Sequence, residues 1–181
     1  MSIRGFLEVK KEWQATCATT LALAQAGRFQ DALASHALSR ERLAEAARKD
    51  GSPNRWLSGS YFEGLSNFHP RLSAQGAGLH GAAIEALGRD RASLAAIRSE
   101  TTLDLIWTLA RFCADAASRL NSEGRPAEAR DYATLRIDAL LDVAGMYAEL
   151  GYPEAVPELL DEIVRDGDSS QKARAEAMRP A

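Results

Sequence analysis

Ala26-Gly27-Arg28-Phe29-Gln30-Asp31-Ala32 and Glu123-Gly124-Arg125-Pro126-Ala127-Glu128-Ala129 decide the fold. In both, a helical run stops at glycine, an arginine follows, and an acid and an alanine open the next run. Glycine accepts the left-handed conformation that ends a helix, the acid favours the positive end of the new one, and alanine lets antiparallel helices approach closely. Leu87-Gly88-Arg89-Asp90-Arg91-Ala92-Ser93 reads as a third turn of this kind, and Leu150-Gly151-Tyr152-Pro153-Glu154-Ala155 as a shortened fourth.

Working outward, the segments between these turns carry helical periodicity. The first helix is expected over about Phe6 to Ala26, the second over Arg28 to Lys49 with the face Phe29, Ala32, Leu33, His36, Leu43, Ala44 and Ala47. Ser52 and Pro53 cap and start a third, Asn54 to Phe68, which Pro70 breaks. The stretch from His69 to Gly81, with Pro70, Gly76, Gly78 and Gly81, reads as a broken helix or a loop. Helix resumes over Ala82 to Leu87 and again after Gly88 to about Ser99. Thr101 or Thr102 caps the next, whose stripe is Leu103, Ile106, Trp107, Ala110, Cys113, Ala117 and Leu120. Pro126 to Leu150, apolar around much of its second half, is expected at the centre. A short helix from Pro153 to about Arg165 follows.

Composition agrees. The chain has 181 residues, 46% of them apolar and 26% charged, enough for one domain with a real core and too few for two ordinary ones. Alanine and leucine supply most of the apolar surface, and Ile163-Val164 is the one adjacent β-branched apolar pair, which favours packed helices over sheet. The expected organisation is a single helical domain over 1–166, then a linker and weakly anchored tail over 167–181. The fold class is all-α, antiparallel helical hairpins stacked as a short array or right-handed superhelix.

The hairpin turn resembles the inter-helix turn of tetratricopeptide repeats, where an alanine follows the glycine five residues on, as at Gly27/Ala32 and Gly124/Ala129. The resemblance covers the turns. The family's bulky and glycine positions in the first helix hold Thr16 and Thr20, then Cys113 and Ala117, and its closing proline falls on Ala44 and Leu141. The resemblance implies a concave groove lined by the first helix of each pair, with Gln14, Arg111, Ser118 and Asn121 facing a protein or peptide partner.

Charge and motif content narrow the alternatives. With 22 basic and 25 acidic residues interspersed, the formal charge is -3 and no basic run marks nucleic-acid binding. No stretch has the length and apolarity of a membrane span. Arg4, Lys10 and Lys11 before the run Ala15 to Ala24 resemble a secretory leader, but Glu8, Glu12 and three threonines interrupt it, and a cytoplasmic protein is expected. Cys17 and Cys113 read as core thiols. His36, His69 and His80 lack metal-ligand spacing. Gly76-Ala77-Gly78-Leu79-His80-Gly81 spells a dinucleotide-binding turn, yet no strand precedes it. No cofactor is implied.

Two further readings stand beside the scaffold. Asp131, Asp138, Asp142 and Glu149, spaced seven, four and seven apart, share one helix face. They suggest a compact regulator, immunity or assembly protein that meets a basic partner through an acidic face, unless the stripe is simply solvated. An enzyme site near Tyr61 to His80 is the third reading, and no nucleophile elbow, P-loop or kinase signature accompanies it.

Overall fold

A computed structural model describes residues 3–50 and 77–179. Among them there are seven α-helices and no strand, as the all-α reading expects. They are α1 (Ile3–Gln25), α2 (Phe29–Asp50), α3 (Ala77–Ala95), α4 (Glu100–Ser122), α5 (Pro126–Leu150), α6 (Val156–Asp166) and α7 (Ser169–Ala177), with a single 3-10 turn, Pro153–Ala155, before α6. The expected helix over Asn54 to Phe68 and its Pro70 break lie outside the described residues.

The two deciding turns share one design. Gly27 and Gly124 are left-handed, at φ 75° and 74°. The Gly27 N–H donates to the Ala24 carbonyl and Arg28 to Leu23, and Gly124 and Arg125 repeat this on Asn121 and Leu120. These bonds satisfy carbonyls that the helix end would otherwise orphan. Arg28 then pairs with Asp31, and Arg125 with Glu128. Ala32 and Ala129 are buried where the paired helices meet. Gly151, at φ 91°, closes α5 in a variant of this turn, its own N–H and that of Tyr152 both reaching the Tyr147 carbonyl.

The third expected turn is not one. Gly88 lies inside the continuous helix α3. The chain reverses instead at Ala96 to Ser99, where Arg98 takes the left-handed conformation, φ 53°. Helical neighbours on both sides outweigh the modest helix penalty of one glycine. The cap of α4 is likewise Ser99 and not Thr101 or Thr102: its hydroxyl accepts from the Thr102 N–H, and the Thr102 side chain bonds back to the Ser99 backbone. The end of the glycine-rich stretch also differs from a loop, since helix runs from Ala77 through Gly78 and Gly81, while residues 69–76 lie outside the described residues.

Helix directions follow from the side-chain pairings. His80 meets Asp131, Arg91 meets Asp142, and Arg98 meets Glu149, so α3 lies parallel to α5 at a constant sequence offset. Ala32 clusters with Ala83 and His36 approaches Asp90, so α2 is parallel to α3 as well. The helices α2, α3 and α5 thus run side by side in one direction. Each is packed against a partner joined to it by a tight turn: α1 on α2, and α4 on both α3 and α5. This is an array of antiparallel hairpins.

The centre is α5, which touches α3, α4, α6 and α7. Leu140, Val143, Ala144 and Met146 are buried there with Leu105, Ile106 and Leu109 of α4, in a core that extends to Trp13 and Leu43. Cys113 is buried and Cys17 half-buried, both as free thiols, and burial pushes the Cys113 thiol pKa up against the opposing charge of Arg136. The expected linker and loose tail is also corrected. Asp168 caps α7 in a reciprocal pair with Gln171, whose buried amide donates to the Thr134 carbonyl and to Asp138. Ala175 and Met178 join the core.

Candidate functional site

Three places combine polar chemistry with a defined position. The first is the seam between α2 and α3. His36, Ser39 and Arg40 are buried on α2, facing buried Asp90 on α3. Beside them opens a cavity of about 400 Å³ lined by Arg40, Glu41, Arg48, Arg89, Asp90 and Ser93 among others. Burial raises the Asp90 carboxyl to a pKa of about 7, against the charges of Arg40 and Arg89. Burial, aided by Arg40, holds His36 well below its usual value. The His36 Nε2 to Asp90 Oδ2 approach of 3.7 Å has ion-pair geometry. Yet both shifts favour the uncharged forms, and desolvation dominates each, so near neutrality His36 is neutral and Asp90 is only partly ionised.

The second is His80, buried where α3 crosses α5. Its Nε2 lies 2.8 Å from Asp131 Oδ2 and its Nδ1 3.3 Å from Glu128 Oε2, with the Tyr132 ring edge-on at 5.9 Å. Arg125 hydrogen-bonds Glu128 and holds that carboxylate below its usual range. No group of residues among those described could hold a metal ion. Through the contacts with Asp131 and Glu128, His80 joins α3 to α5. His69 and the Tyr61 to Gly76 part of the expected enzyme site lie outside the described residues.

The stripe on α5 is engaged along its length, with Asp138 and Asp142 largely covered and Asp131 and Glu149 about half exposed. Asp131 meets His80, Asp138 meets Gln171 and Arg174, Asp142 meets Arg91, and Glu149 meets Arg98. Three of these partners, His80, Arg91 and Arg98, follow one offset along the parallel α3 and the turn after it, and Asp138 is met from α7. Burial even outweighs the Arg91 charge at Asp142, whose carboxyl pKa is raised.

The third place is the exposed face of α4. Arg111, Ser118 and Asn121 are exposed there, with Asp115 between them, and Arg111 donates to Thr108 Oγ1 at 3.3 Å. Gln14 is exposed on α1. The three α4 side chains share one helix. Gln14 does not join them directly, because α1 packs on α2 and makes no close approach to α4.

Next to that face is a group the sequence reading passed over. Trp107 of α4 donates its indole N–H to the Tyr147 hydroxyl at 3.0 Å, and Tyr147 stacks edge-to-face on Tyr152 with centroids 5.9 Å apart. Trp107 and Tyr147 were absorbed into apolar stripes and Tyr152 into a turn. The available signal was an aromatic placed between Gly151 and Pro153, in a turn that must be exposed.

No known protein family, curated protein or solved structure matches this chain. No helix among the described residues is long and apolar enough to cross a membrane.

Proposed function

We propose that this chain is a protein- or peptide-binding helical scaffold, acting through the face formed by its stacked hairpins. The observation that carries the reading is the duplicated turn at Gly27 and Gly124, with matching backbone bonds, a matching arginine–acid pair and a matching buried alanine. It supports the resemblance to tetratricopeptide repeats and a right-handed superhelical stack. In such stacks the first helix of a pair presents its polar face to a partner. Here that helix is α4, and Arg111, Ser118 and Asn121 are the contact residues, with Gln14 on α1 as a separate contact.

The alternative reading, an acidic face for a basic partner, is less favoured, since each of the four carboxylates has a partner within the fold. Opening the covered Arg91–Asp142 pair to bind would cost more than exposed charges would.

The test is affinity capture with the full chain and the double variant Arg111→Glu/Ser118→Arg, with Tm measured for both. Both positions are exposed, so the variant folds with a Tm within a few degrees of wild type. The expected result is a set of proteins retained by the wild type and lost by the variant. Equal recovery by the two proteins would overturn the proposal.

A further inference from the structure

Trp107, Tyr147 and Tyr152 form a chain of three rings at one edge of the molecule, where the start of α4 meets the end of α5. Trp107 and Tyr147 lie 6.5 Å apart at 57°, and Tyr147 and Tyr152 5.9 Å apart at 75°. The outermost ring is held firmly and still faces solvent. Tyr152 is 38% exposed, and among the described residues only Leu38 is as exposed a large apolar side chain. The Gly151 cap fixes its backbone through the Tyr147 carbonyl, and its hydroxyl donates to Glu100 Oε1 at 2.9 Å. An exposed aromatic ring that is already ordered loses little entropy on binding.

The charge around it has one sign. Glu100 and Glu154 both act on the Tyr152 hydroxyl and hold its proton on, Glu100 more strongly through the hydrogen bond. Neither carboxylate meets a cation among the described residues, and neighbouring Arg98 is engaged with Glu149. Ring faces carry negative potential and attract cations, and a guanidinium can stack on a ring while hydrogen-bonding a carboxylate. Tyr147 and Tyr152 pack edge-on and Trp107 is tilted against Tyr147, so the three rings enclose no box and suit a side chain laid across an open surface.

We infer that the Trp107–Tyr147–Tyr152 edge, with Glu100 and Glu154, is a docking surface for an arginine-bearing basic segment of a protein partner. This deepens the scaffold reading and rests on it, by giving the partner a chemistry. It also places a second contact one helical turn from Arg111, toward the start of α4.

Octa-arginine is the probe, titrated into the full-length ¹⁵N-labelled protein, with the Trp107 indole peak assigned through Trp107→Phe. The expected result is a shift of the Trp107 indole and Tyr152 amide peaks that weakens with salt. In Glu100→Gln/Glu154→Gln the affinity should fall about fivefold or more. The charge-matched control Glu12→Gln/Glu85→Gln should stay within about twofold, since its lost charges are exposed on α1 and on α3, away from this edge. Tyr152→Phe, which keeps the ring and releases Glu100, should bind at least as well as wild type. Absence of those shifts, or equal weakening in the control, would overturn the inference. If that happens while capture still depends on Arg111 and Ser118, only the arginine chemistry falls. If capture no longer depends on them, the scaffold reading falls.

Discussion

Asp90 shows what burial does to one residue. The unfolded chain ionises this carboxyl near its ordinary 3.8, whereas the folded chain keeps the proton until about pH 7. Between those values the folded state binds the extra proton, so stability falls as pH rises through the window and levels off above it. His36 acts in the opposite sense. Its lowered pKa means the unfolded chain takes up the proton first, and stability falls as pH drops below about 6.5. Asp90→Asn removes the first effect alone. Urea unfolding at pH 5 and pH 8 should show the variant gaining on wild type at the higher pH, by on the order of 2 kcal/mol. A gap unchanged between the two pH values would mean that Asp90 ionises normally in the fold.

At the scale of elements, the same residue type has opposite roles at Gly124 and Gly88. Gly124 is left-handed, and an alanine there strains the backbone although no atom would crowd its Cβ. Gly88 is helical, half-buried, and equally free of obstruction. Gly124→Ala should therefore lower stability by about 1 kcal/mol, and Gly88→Ala should raise it by up to about 1 kcal/mol. Thermal unfolding of the two variants separates a turn from a helix interior directly. A loss at Gly88 would restore the broken-helix reading of α3. The reversal between α3 and α4 instead falls on Arg98, a residue whose side chain gains a partner in Glu149.

For the whole molecule, α7 decides where the domain ends. Its Gln171 and Ala175 are buried against the rest, Met178 packs on the core, and Arg179 reaches back to Asp161 of α6. Ending the chain after Asp166 should cost about 2 kcal/mol of stability through lost apolar burial and the uncovering of Asp138. Calorimetry of the truncated and full chains tests this. An unchanged Tm would return 167–181 to the status of a tail.

The all-helical class, the turns at Gly27, Gly124 and Gly151, and the central place of α5 were legible in the sequence. Each depends on local conformation or on the periodicity of a single helix, and both are written in consecutive residues. The meaning of the acidic stripe was not, because a face pattern records which residues lie together and not what lies opposite. Only tertiary structure supplied His80, Arg174, Arg91 and Arg98 as the partners. The same holds for the aromatic edge and for the charge state of Asp90. Trp107, Tyr147 and Tyr152 come together only when α4 folds back along α5, and a carboxyl loses its water only when a neighbouring helix covers it.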